Sequence, residues 1–135
     1  MAQRSHLPLS VLFIDLDNLK EINDSLGHGT GSTLLAEIAG MLKETFRETD
    51  VMGRIGGDEF AVVCQCSHVA ISIAAERLEA TSAERNAQAG RPFPCSFSTG
   101  FVTSDEHANQ SLQELLTEAD KAMYQEKRRK KLSRD

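Results

Sequence analysis

No tract of this sequence stays apolar long enough to cross a membrane, and the opening residues MAQRSHLPLS lack the hydrophobic core of a secretory leader. The chain therefore reads as cytoplasmic, with a membrane anchor conceivable only elsewhere in a longer protein. Cysteine is scarce and odd in number, at three residues. Cys64 and Cys66 stand two apart on one face of a predicted strand and Cys95 is remote, so neither a zinc pattern nor a disulfide framework is present. Buried thiols of this kind are ordinary core residues. Positive charge is also lacking: the net charge of −5 argues against non-specific binding to nucleic acid. Internal repeats, low-complexity linkers and a second domain are absent as well, which predicts one domain over residues 1–135. That length buries a core without disulfide or metal staples, and 40% hydrophobic with 26% charged residues is ordinary for a soluble globular protein.

What is present is a regular alternation of elements. LSVLFIDLD (9–17) is an apolar run rich in β-formers that ends in acids, hence a buried strand. NLKEINDSLGHGTG (18–31) reads as a short helix, capped by Asp17 or Asn18, that runs into a glycine-rich turn. From Ser32 to Arg47, Leu34, Leu35, Ile38, Met41 and Leu42 form the apolar stripe of a second helix. Two β-like runs flank GGDE, and a third helix spans roughly 68–87. PFPCSFSTGFVT (92–103) becomes strand-like past its prolines, and a last helix opens on the capping box Ser111–Glu114. The order β-α-α-β-β-α-β-α predicts an α+β domain with a mostly antiparallel sheet and helices on one face. The basic run KRRKK (127–131) reads, on its own, as a solvated helix end that complements the macrodipole.

The acids raise the functional question. In a split β-α-β arrangement the first strand lies antiparallel to the strand leaving the hairpin, so Asp15 and Asp17 arrive beside Asp58 and Glu59. Converging carboxylates repel unless a cation sits between them. With oxygen ligands only, a hard divalent ion such as magnesium is the natural occupant. Spacing alone leaves open that these acids are unrelated surface residues.

RIGGDEF, with LFIDLDNLKEINDSLGHGTG, FRETD, CSFSTGFV and ADKAMYQEKRRKK in the same order, resembles the GGDEF family of diguanylate cyclases over about residues 9–131. The resemblance implies a nucleotidyl-cyclase-like, ferredoxin-like palm and the joining of two GTP into cyclic di-GMP by an antiparallel homodimer with Mg2+ or Mn2+. It implies Asp15, Asp58 and the Leu16 carbonyl as metal ligands. Gly56 and Gly57 would lie under the nucleotide, and Glu59 would either activate the attacking hydroxyl or orient ligands. Asn23 and Ser32 would meet the guanine or ribose, and Lys20, Lys127 and Lys131 the triphosphate. Arg47 and Asp50 match a product-binding inhibitory motif, where an arginine fork suits guanine O6 and N7. An exposed ion pair would also account for them.

The chain departs from the family pattern in several places. Ser32 stands where an aspartate is usual, and Lys130 and Lys131 where a glycine and an arginine are usual. Leu19 replaces a common phenylalanine, a change of packing. The family's segment before the first strand is missing, which predicts a fragment of a longer protein carrying sensor or regulatory domains. Ser32 and Lys131 keep open a second reading: a weak or inactive domain that binds GTP or cyclic di-GMP as a regulatory module.

Overall fold

The computed structural model describes residues 7–88, 90, 91, 93–104 and 110–134. Residues 1–6 of the opening segment and Pro92 of the predicted late strand lie outside them. The elements follow the predicted order: β1 (Ser10–Leu16), α1 (Leu19–Leu26), α2 (His28–Thr45), β2 (Val51–Arg54), β3 (Glu59–Cys64), α3 (His68–Asn86), β4 (Phe97–Thr103) and α4 (Leu112–Arg134). The sheet order is β2-β3-β1-β4 and every pairing is antiparallel.

β1 is buried along its whole length because it is central in the sheet and covered on both faces. Its side chains alternate. Leu12, Ile14 and Leu16 join a core with Ile22 of α1, Ile38 and Met41 of α2, and Ile71 and Leu78 of α3. Val11 and Phe13 face the other way, onto Leu115, Ala119 and Met123 of α4. The helices therefore cover both faces, not one. A continuous apolar run such as VLFI is what a strand covered on both sides requires, whereas one-sided burial would show alternation.

Local differences have physical causes. The segment expected to be a glycine-rich turn is mostly helix: Gly27, at φ 89°, is the joint, and α2 starts at His28. Gly31 lies inside α2 where it crosses α1, and a Cβ there would come within 2.2 Å of Asn23 Oδ1. Asn18 occupies the N-cap position of α1 but makes no side-chain cap bond; it sits in the left-handed region at φ 60°, which asparagine tolerates. Asp17 does not cap either, because its carboxylate is drawn to β4. The prolines delay β4 until Phe97, since they have no N–H for a ladder. The capping box of α4 forms, with Ser111 N–H donating to Glu114 Oε1 at 2.8 Å and Glu114 N–H to Ser111 Oγ at 3.1 Å. Among the described residues, no helix is long and apolar enough to cross a membrane.

Gly100 of β4 lets α4 lie directly on the sheet. A Cβ there would meet Met123 N at 2.0 Å and Ala119 O at 2.6 Å, backbone atoms that have no freedom to yield. Gly100→Ala is expected to cost about 1–3 kcal/mol through overpacking, read as a lower urea midpoint with an unchanged slope.

Candidate functional site

The site begins with the register of β1 on β3. Asp15 is the Cα partner of Glu59. One residue on, Leu16 N–H donates to the Asp58 carbonyl at 3.1 Å, which ties the end of β1 to the hairpin turn. The turn closes through Ile55 N–H to Glu59 O at 2.8 Å. Arg54 braces it: Nε donates to Gly56 O at 3.3 Å and Nη2 to Gly57 O. Asp15 and Asp58 are thus brought near each other by the strand register and the braced turn, and their charges repel.

Asp15 is buried, at 7% exposure. Burial, with Asp58 adding to it, raises its pKa to about 7, although Lys127 of α4 opposes the rise. Lys127 Nζ stands 3.1 Å from Asp15 Oδ1 and donates to Leu16 O at 3.3 Å. Its approach to Asp15 is an ion pair that leaves Oδ1 without a well-directed hydrogen bond. Glu59 is also pushed up, by burial and then by Asp120 of α4 and Asp58.

Beside these groups opens a cavity of about 820 Å³, lined among others by Asn18, Lys20, Asp58, Tyr124, Lys127 and Lys131. Tyr124, Lys127, Arg128 and Lys131 recur at helical spacing and present one face of α4 to it. Asp17, expected beside Asp58 and Glu59, turns instead to β4. Ser98 Oγ donates to its Oδ1 at 2.8 Å and Ser96 Oγ to its Oδ2 at 2.9 Å. Lys130 Nζ lies 3.4 Å from the same Oδ2 and also donates to Phe97 O. Lys130 therefore clamps α4 to the sheet and is not part of a hydrated basic end.

The remaining residues are more dispersed. Gly56 and Gly57 are exposed. A Cβ on Gly57 would meet nothing and one on Gly56 only Glu59 Cβ at 3.9 Å, and neither glycine is left-handed. Nothing in the protein's own packing or turn geometry demands glycine there, which leaves a bare backbone open to an approaching molecule. Asn23 packs on Gly31, its Oδ1 buried with no partner, and Ser32 is exposed on the next residue of α2; neither lines the cavity. Arg47 and Asp50 flank the approach to β2. The Arg47 side chain is 71% exposed, while that of Asp50 is 5% exposed and accepts the Arg47 N–H at 2.9 Å. Asp50 is a turn-holding residue and Arg47 the one that projects.

Residues 1–133 match the family described as "Diguanylate cyclase, GGDEF domain". The chain belongs to the GGDEF family. It is similar to diguanylate cyclase TpbB of Pseudomonas aeruginosa, 40% identical over 129 residues, with 93% of this chain and 29% of the relative covered. The isolated GGDEF domain of that protein, also called YfiN, superposes with a TM-score of 0.82 at 38% identity, over 95% of this chain and 76% of the other. The active GGEEF domain of a diguanylate cyclase from Vibrio cholerae superposes with a TM-score of 0.83 at 29% identity, over 95% of this chain and 81% of the other.

Diguanylate cyclases generally use a divalent metal, and the donor set of this GGDEF domain suits one. It offers two carboxylates and a carbonyl, all oxygen, and a buried Asp15 Oδ1 that lacks a directed donor. Among the described residues no three His, Cys, Asp or Glu side chains gather as a self-sufficient cage. An ion here would thus complete its shell with water and phosphate oxygens, as magnesium habitually does. Asp120, Arg54, Tyr124 and Arg128 went unread in the sequence. The α4 spacing 124, 127, 128, 131 was the available signal for the last two.

The raised Asp15 pKa has a measurable consequence in chelator. The unfolded chain releases this proton near 3.8 and the folded domain only near 7. Between those values the folded state holds more protons, so its stability falls as pH rises and the Asp15 contribution is gone above about 7. Asp15→Asn is expected to flatten that decline in urea midpoints recorded from pH 4 to pH 8.

Proposed function

We propose that this GGDEF domain condenses two GTP molecules into cyclic di-GMP, releasing two pyrophosphates, as an antiparallel homodimer that uses Mg2+ or Mn2+. The observation that carries the reading is the β1–β3 register, which joins Asp15 to Leu16 and Asp58, two residues that line a cavity shared with Lys20, Lys127 and Lys131. Asp15, Asp58 and the Leu16 carbonyl would hold the cation, which when bound neutralises triphosphate charge. Lys20, Lys127 and Lys131 line the cavity and provide ammonium groups for the phosphates. The bare turn of Gly56 and Gly57 lets the nucleotide lie against backbone. Glu59, its pKa already raised, is suited to take the 3′-hydroxyl proton or to orient the groups around it. Each 3′-oxygen attacks the α-phosphorus of the facing nucleotide as pyrophosphate leaves, and two-fold symmetry supplies both attacks from one kind of site.

Asn23 and Ser32 would receive the guanine from the α1–α2 side. A serine hydroxyl accepts less well than a carboxylate from guanine N1–H and the amino group. Charge-assisted hydrogen bonds contribute roughly 1.5–3 kcal/mol, so Ser32→Asp is expected to tighten GTP binding by about one to two orders of magnitude. Ser32 also favours a second reading, a regulatory module that holds GTP or cyclic di-GMP with little turnover. Product restraint would act through exposed Arg47, with Asp50 holding its turn. The chain spans about three tenths of the length of TpbB, and we place it as the output domain of a longer regulated protein.

Incubation with GTP and Mg2+ separates the readings. The enzyme yields cyclic di-GMP and pyrophosphate in a 1:2 ratio, and Asp58→Ala is expected to abolish both. Nucleotide binding without either product, at concentrations that sustain a dimer, would overturn catalysis and favour the module.

A further inference from the structure

Lys127 touches two of the three oxygen donors assigned above to the cation, with Nζ 3.1 Å from Asp15 Oδ1 and 3.3 Å from the Leu16 carbonyl. An ammonium and a divalent ion compete for those oxygens, because side by side their like charges repel. We propose that Lys127 is a placeholder cation. It neutralises the acidic corner of the empty domain, is displaced when the divalent ion enters, and is thereby released to the nucleotide phosphates. The inference rests on the cation site of the proposed function.

The helix that carries Lys127 is held by other contacts. Leu115, Ala119 and Met123 are buried against Val11 and Phe13, and Lys130 is bound to Asp17 and to the Phe97 carbonyl. Exchange therefore needs no movement of α4, only rotation of the flexible lysine stem. The side chain already borders the cavity, so Nζ has polar space to enter once it leaves Asp15. The consequence is coupling. An ion arriving alone must break the ammonium contacts without replacement, whereas an ion arriving with a triphosphate gives the ammonium a new anionic partner. Ion and nucleotide then each strengthen the other's binding by the same factor.

The test is Mn2+ binding without nucleotide, read by electron paramagnetic resonance of the free ion, in the wild-type domain, Lys127→Met and Lys127→Gln. Both variants are expected to bind Mn2+ about fivefold or more tightly, and a non-hydrolysable GTP analogue is expected to raise their Mn2+ affinity by a smaller factor than in wild type. Asp58→Asn is expected to lose the ion in every background. In the wild type, which removes any question of folding, Mg2+ is expected to speed solvent exchange of the Lys127 ammonium protons in lysine-selective NMR. Unchanged or weaker Mn2+ binding by both variants, or an ammonium signal that Mg2+ does not move, would overturn the placeholder role alone. Absence of Mn2+ binding in the wild type and in both Lys127 variants would overturn the cation site together with it.

Discussion

A carboxyl group buried at the end of the central strand is the constraint around which this domain is arranged. Asp15 is largely removed from solvent, with another acid beside it and one ammonium against it. Burying a lone carboxylate is costly, and a second one nearby makes it worse. A sheet built only for stability would place an apolar residue at position 15. The arrangement persists because β1 is fixed by neighbours on both sides, so Asp15 cannot swing out into bulk water.

The long C-terminal helix makes the arrangement tolerable. It crosses the sheet at Gly100, buries one apolar face there, and delivers Lys127 and Lys130 to two different acids of the β1 end. Those acids have separate duties. Asp17 is fully engaged by two serines and Lys130 and acts as a structural anchor. Asp15 keeps an oxygen without a directed donor, which is the condition expected of a ligand in waiting.

Much of this was legible in the order of residues. The alternating elements, the glycine hairpin and the capping box follow from periodicity and turn chemistry, because those signals are local. The assignment of acids at the sheet end was legible in part: Asp15 does meet the hairpin, while Asp17 goes to β4. The two differ in the neighbour available, not in their own chemistry, since Ser96 and Ser98 lie some 80 positions away in the chain. The basic run was harder. Its five residues are chemically alike in sequence, yet Lys127 and Lys130 turn inward and Arg129 pairs with Glu126 on the same helix.

By itself the sequence determined the kind and order of the elements, the all-but-continuous apolar strand at the centre, and membership of the GGDEF family, since each depends on spacing between near neighbours. Tertiary structure alone decided that helices cover both faces and that Gly100 admits α4 onto the sheet. It also decided which acid is an anchor and which keeps an oxygen without a directed donor. Those outcomes turn on contacts between distant segments, where the energy of a charged group is set by what folding places beside it.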